Sequence, residues 1–279
     1  MKKMTEIVKA IDRLPPFPQV AMKVMELVKD EDVSFGDLAR VIELDQSMTA
    51  NLLKVCNSPF FGLRRKVSSV REALVYLGQK YFMEVIWEMA SANYFQEGQR
   101  GYDLDRGELW RHAVASALAA RILEERLGRE EDPLLFTTAL LHDIGKVVLS
   151  EFVAEALGEI RQRVAEGASF LEAEEEVLGV DHAALGAMIA EQWAFPEEMV
   201  KAIRFHHRPE EDPEGLTPLI YLADTVSLQM GIGTGLDGLQ YRAKDEVLRR
   251  FGLTDHDLME VMAELGGRLE EAEALISLN

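Results

Sequence analysis

Five of the six histidines in this chain fall between His112 and His207, and two aspartates, Asp143 and Asp224, stand among apolar residues in the same stretch. Imidazole and carboxylate are the side chains that hold transition metals through mixed nitrogen and oxygen donors, and imidazole also carries protons near neutral pH. In "ALLHDIGKVVLSEF", His142 and Asp143 are adjacent inside an apolar helical run, with Lys146 one turn further on. Burying such groups without partners costs several kcal/mol, so the rest of the chain must supply the partners.

Helical spacing brings several partners to one point. His112 shares a face with Ala115, Ser116, Ala119 and Leu123, and Glu108, one turn earlier, can reach the same place. His142 and Asp143 are about 100° apart on a helix, so both can address a centre at the edge of their face. His182 opens a helix whose Leu185, Ile189 and Trp193 form an apolar stripe, and "PEEMVKAIRFHH" ends on His206 and His207. Asp224 lies one turn after Ile220 in "TPLIYLADTVSLQ", where a carboxylate on an apolar stripe calls for a cation. Singly, each of these reads as a hydrogen-bonded core residue. Together they read as a ligand set for transition metal ions such as Fe, Mn, Zn, Ni or Co, with a metal-free polar core as the alternative.

The elements that carry them are helices. Apolar residues recur at three- and four-residue steps along nearly the whole chain, and alternating β-branched runs are missing, so the fold class is all-α. Ser34 with Asp37, Asp132 before Pro133, Phe195 before Pro196 and Thr217 before Pro218 mark helix starts; Gly78, Gly128, Pro209 and Gly231 mark stops. The polar connector "YFQEGQRGYDLDRG" divides the chain into an N-terminal bundle, 1–98, and a histidine-bearing helical subdomain, 99–279. "ARVIELDQSMTANLLKVCNS" has a helix, turn, helix rhythm, but its second helix offers Lys54 as its one cation, so it reads as packing. "LEAEEEVLG" reads as an exposed acidic face, and "DLMEVMAELGGRLEEAEALISL" as an amphipathic helix pair.

The net charge of −19 on 279 residues repels phosphate backbones, which argues against nucleic acid as a partner. One basic island, Arg64, Arg65, Lys66 and Arg71, reads as a solvated loop or as a docking point for an acidic partner. No run approaches the ~20 apolar residues of a membrane span, and "MKKMTEIVKAIDRL" lacks the apolar core of a signal peptide. The expected setting is cytoplasmic, and the single Cys56, beside Leu52, Leu53 and Val55, fits a reducing compartment as a small core residue.

"LLHDIGK", with a helical histidine before it and the aspartate of "LADTVS" after it, resembles the HD superfamily of metal-dependent phosphohydrolases. "LPPFPQVAMKVMELVKDEDVSFGDLARVIELDQSMTANLLKVCNSPFFGL" and "VSSVREALVYLG" resemble the HDOD domain, a regulatory relative of that superfamily, and the two likenesses run from about Leu14 to Asp224. The resemblance implies His112, His142, Asp143 and Asp224 at one metal. It also implies a second metal held by His182, His206 and His207 and bridged by Asp143, as in HD-GYP relatives that cleave cyclic dinucleotides, with Glu108 matching a carboxylate for an additional ion. "HHRPEEDPEGLTPL" departs from those relatives, carrying Arg208 and no Gly-Tyr-Pro. The expected function is that of a bacterial regulatory module working through other signalling proteins in trans. The alternative is a metal-dependent phosphohydrolase acting on a nucleotide or cyclic dinucleotide, in which Asp143 bridges the metals and Lys146 stabilises charge on phosphate.

Overall fold

A computed structural model of the chain describes residues 2–28, 34–58, 66–129, 132–236 and 244–276. Among the described residues there are fourteen α-helices and no strand: α1 (Lys2–Ile11), α2 (Gln19–Val28), α3 (Phe35–Glu43), α4 (Gln46–Cys56), α5 (Val70–Phe95), α6 (Glu108–Arg126), α7 (Pro133–Leu141), α8 (Ile144–Ala165), α9 (Phe170–Leu178), α10 (His182–Gln192), α11 (Glu197–Phe205), α12 (Thr217–Gln229), α13 (Asp245–Phe251) and α14 (Asp255–Ile276). The all-α expectation therefore holds. The chain forms two units, one made of 1–15 with 94–265, the other of 16–93 with 266–279.

In the smaller unit, Leu38, Ala39 and Ile42 of α3 and Leu52, Val55 and Cys56 of α4 are buried, while Lys54 is exposed. The helix, turn, helix rhythm is thus spent on packing. Caps fix the register: the Ser34 hydroxyl accepts from Asp37 N at 3.2 Å and Asp45 accepts from Met48 N at 2.9 Å. Asn57 closes the following loop by donating to the carbonyls of Leu53 and Val67 and accepting from Val67 N, each at 2.8 Å. α5 is broken at Gly78, whose φ of 73° and ψ of 163° lie outside the helical region and suit a residue without a Cβ. Arg64 and Arg65 lie outside the described residues. Lys66 and Arg71 are exposed, and Arg71 pairs with Glu43 at 3.8 Å.

The larger unit wraps its helices around α6 and α12. Both are hidden along most of their length, from Leu109 to Glu124 (Arg111 excepted) and from Thr217 to Leu228. They meet at small residues, Ser116 Oγ reaching Ser227 Oγ at 3.2 Å. α8 meets α10 still more closely at Gly145 and Gly186. Two readings of the sequence need correction. "ALLHDIGKVVLSEF" is two helices, because Asp143, at φ −95° and ψ 13°, leaves the helical path and turns the chain from α7 into α8. The described part of "DLMEVMAELGGRLEEAEALISL", 257–276, lies within the single helix α14, which continues through its two glycines.

Candidate metal centre

The turn between α7 and α8 is what delivers His142 and Asp143 together. His142 caps the end of α7 and Asp143 precedes α8. His112 comes from α6, His182 is the first residue of α10, His206 follows α11, and Asp224 lies mid-way along α12. His182 is placed by Asp181, whose carboxylate accepts from Ala184 N at 2.6 Å. All these residues are buried, His207 at 9% of its whole-residue surface, and its side chain is no more exposed than that of Asp224.

Asp143 is the hub, and its two oxygens face different groups. Oδ2 lies 3.6 Å from His112 Nε2, 3.5 Å from His142 Nε2 and 2.7 Å from Lys146 Nζ. Oδ1 lies 3.6 Å from both His182 Nε2 and His206 Nε2. Asp224 joins the first group, with Oδ1 at 3.0 Å from His112 Nε2 and 3.6 Å from His142 Nε2. His207 joins the second, its Nε2 at 2.9 Å from His182 Nε2 and its Nδ1 at 3.9 Å from Asp224 Oδ2.

The outer nitrogen of four rings is already committed. His112 Nδ1 faces the carbonyl of Ile232 at 3.0 Å, His142 that of Ala139 at 2.6 Å, His206 that of Ile203 at 2.7 Å, and His182 faces the Glu174 carboxylate at 2.7 Å. A carbonyl or carboxylate can only accept, so in each ring Nδ1 carries the proton and the neutral imidazole turns its Nε2 lone pair inward. These lone pairs meet the lone pairs of a carboxylate, and His112 Nε2, His142 Nε2, His206 Nε2 and Asp143 Oδ1 are all buried without a hydrogen-bond partner. Donors that repel one another in pairs and converge at 3.5–3.6 Å are reconciled by a cation between them. Two subsets of ligand atoms are compact enough to hold an ion: His112, His142 and Asp143, and Asp143, His182, His206 and His207. The residues present fit a metal.

The local electrostatics agree. Burial works against the Asp143 carboxylate, but Lys146, then His142 and the other histidines, hold its pKa well below the usual range. Asp224 is likewise held low against burial by His112 and His142. Burial opposes a charged His182, but Glu174 outweighs it and brings its pKa up to about 9; the carboxylates of Asp143 and Asp224 raise His142 in the same way. Burial pushes His206 down and His207 well down. Two of the rings and both aspartates are thus placed so that the cluster draws positive charge.

Of the residues singled out from the sequence, His112, His142, Asp143, His182, His206, His207 and Asp224 come together here. Lys146 is beside them, its ammonium bound to Asp143 and 5.5 Å from the centroid of the Tyr102 ring. Glu108 serves a different place: its Oε2 accepts from Asp105 N at 2.7 Å at the start of α6. Two residues escaped the sequence reading. Glu174, within the run that reads as an exposed acidic face, is fully buried and accepts from His182 N and Tyr102 Oη as well as His182 Nδ1. Tyr102, from the connector, is fully buried too.

A helical unit enclosing a buried histidine and aspartate cluster able to hold a metal defines the class, an all-α domain. The chain belongs to the HDOD domain family, whose defining pattern matches residues 14–209. Among solved structures, an HDOD domain protein of unknown function from Geobacter sulfurreducens is 27% identical with a TM-score of 0.77, over 100% of this chain and 97% of that one. A Marinobacter aquaeolei VT8 protein provisionally named for signal transduction is 24% identical with a TM-score of 0.77, over 99% of this chain and 65% of its own, a likeness that shows the fold. A curated, uncharacterized relative from Treponema pallidum (strain Nichols) is 27% identical over 214 residues, 75% of this chain; the match spans 40% of that relative's length. No helix among the described residues is long and apolar enough to cross a membrane.

Proposed function

We propose that this chain is a cytoplasmic HDOD signalling module that binds two divalent transition metal ions, Fe, Mn, Zn or Ni, and presents the helical unit they lock to other signalling proteins. One ion is assigned to His112, His142, Asp143 and Asp224, the other to Asp143, His182, His206 and His207. The observation that carries this reading is the convergence of inward Nε2 atoms on the two oxygens of one buried aspartate. The closure of the centre favours a stabilising role over turnover, since every assigned ligand is at most 9% exposed. Metal that binds the folded chain stabilises it by mass action, with no reaction required. The acidic net charge and the Arg71–Glu43 pairing weigh against nucleic acid as the partner.

A second reading, phosphohydrolysis of a nucleotide or cyclic dinucleotide, is favoured by Lys146, a buried cation at 2.7 Å from the shared carboxylate. Metals in such a centre supply Lewis acidity and a water of lowered pKa. The chain's own contribution is to fix Asp143 between the two groups of histidines and to hold the Lys146 ammonium beside it.

Elemental analysis of protein purified without a chelating tag tests the first reading: about two metals per chain are expected, and His142→Ala and Asp143→Ala are expected to lose them. Unchanged metal content in both variants overturns it. A screen of phosphomonoesters, nucleotides and cyclic dinucleotides with Mn or Fe decides between the readings; phosphate release that Asp143→Ala abolishes establishes the second.

A further inference from the structure

Three of the five rings in the centre, His112, His142 and His206, lean on backbone carbonyls, whereas His182 leans on a side-chain carboxylate. His182 is held by a carboxylate, Glu174, which accepts from its Nδ1 at 2.7 Å and from its backbone N at 3.0 Å, so that one side chain fixes both the ring and the start of α10. Glu174 itself is fixed by the Tyr102 hydroxyl at 2.5 Å. Tyr102 in turn sits edge-on to the His182 ring at 6.1 Å between centroids, packs on Phe170, and lies under the Lys146 ammonium. Its short turn is seated on α8 by Gly101, whose N donates to Ser150 Oγ at 3.1 Å and which lies so close to Val153 that a Cβ there would come within 2.8 Å of it. The rings of His112 and His142 are backed instead by the carbonyls of Ile232 and Ala139.

We propose that Glu174, held by Tyr102, is a positioning residue for one metal only, the ion assigned to Asp143, His182, His206 and His207. The inference rests on the two-metal reading above. A carboxylate behind a ligating imidazole fixes the tautomer, orients the ring and makes its lone pair a stronger donor, and losing such a partner weakens metal affinity by about 10–100-fold. A neutral amide at position 174 can still accept from Nδ1 through its one oxygen, but it takes away the charge and sets an NH2 donor where the second carboxylate oxygen accepted from Tyr102. The two ions are therefore set by different chemistry: the first by two directly ligating carboxylates, Asp143 and Asp224, the second by one direct carboxylate and one acting through His182.

The test is a Co(II) titration of the full chain followed by visible absorption and by equilibrium dialysis, for wild type, Glu174→Gln, Tyr102→Phe and Glu124→Gln. Glu124 is an equally buried carboxylate, paired with Arg121 at 2.8 Å and away from the centre, so its variant reports loss of a structural carboxylate alone. The expected result is two Co(II) per wild-type chain, one of them bound about 10–100-fold more weakly in Glu174→Gln and weakened in the same sense, by less, in Tyr102→Phe. Glu124→Gln is expected to keep both affinities even if it melts earlier. Two sites of unchanged affinity in both Glu174→Gln and Tyr102→Phe, or equal weakening of both sites, overturn the proposal. If Glu174→Gln does not fold, Tyr102→Phe, which removes one hydroxyl, decides the matter on its own. A wild-type chain that takes up no Co(II) refutes the two-metal reading itself and this inference with it, an outcome distinct from wild-type binding with unaffected variants.

Discussion

Gly145 is the position where packing and local propensity make opposite forecasts. It lies in the first turn of α8, where alanine normally stabilises a helix by roughly 0.8–1.0 kcal/mol over glycine. A Cβ at Gly145, however, would stand 2.7 Å from Gly186 N and 2.9 Å from the carbonyl carbon of His182, and closer still to that carbonyl's oxygen. These are backbone atoms of α10, so no rotamer change makes room. The helices must part by roughly 1 Å to restore ordinary contact at about 3.5–4 Å. Overpacking of this kind costs about 1–3 kcal/mol, and the rigid obstacle argues for the upper end, leaving a net loss of about 2 kcal/mol after the propensity gain. At about 2–4 °C per kcal/mol for a unit of this size, Gly145→Ala should melt roughly 4–8 °C below wild type. The displacement also draws His182 away from Asp143, so metal content should fall. Gly186→Ala is the comparison: its nearest obstacle is the Ile203 Cγ2 methyl at 3.0 Å, which can shift, so the loss should be less than half as large. Calorimetry with and without Mn, together with metal analysis, makes the measurement. A Gly145→Ala protein that melts at or above wild type with its full metal content would refute the close-approach argument.

Other perturbations have equally definite outcomes. Lys146→Met leaves a buried Asp143 without its ammonium, which costs about 3–5 kcal/mol when one partner of a buried pair is removed; saturating Mn should recover much of the loss, and an equal loss with and without metal counts against a cation site at Asp143. Glu88, partly buried near Glu84, has its pKa pushed up to about 8, burial first and Glu84 second. Between its ordinary pKa of 4.5 and about 8 the folded chain therefore holds a proton that the unfolded chain has lost, and stability falls as pH rises. Glu88→Gln should gain on the order of 1 kcal/mol at pH 8 and little near pH 4.5; urea midpoints at both pH values check this, and a pH-independent gain contradicts it. Burial raises the Cys56 thiol to about 11, so its labelling at pH 8 should be at least about 100-fold slower in the native chain than in urea, and comparable rates would mean the helix pair α3 and α4 is not closed around it.

The helical class was legible because three- and four-residue periodicity needs no long-range information, and several helix boundaries were legible because Ser34, Asp132 and Gly128 act on their own neighbours. The convergence of the histidines and aspartates was legible because imidazoles on apolar faces demand an explanation. The break at Asp143 was not, since neither Gly nor Pro marks it and the apolar run continues across it. Glu174 did carry a signal. It stands four residues from both Phe170 and Leu178, each buried, so the stripe runs through it even though Glu172, Glu175 and Glu176 around it made the run look solvated. Tyr102 carried none. Its burial depends on a short turn seated on α8, a long-range contact that no local pattern announces.

The charge balance of the centre bears on which reading of function needs more. Asp143, Asp224 and Glu174 face a single ammonium, Lys146, within a chain of net charge −19. Such a field concentrates divalent cations and keeps phosphate away. Metal uptake, as proposed, needs nothing beyond the residues already in place, and it would stabilise the helical unit by mass action. Hydrolysis needs two further things: enough bound positive charge to reverse the local field for an anionic substrate, and an opening past His207, buried like the other ligands. The proposed regulatory role asks for no change in these helices, whereas the hydrolytic alternative asks that a substrate reach the centre, and lowered protection of the backbone around His206 and His207 on binding a nucleotide, measured by hydrogen exchange, is the observation that would shift the balance.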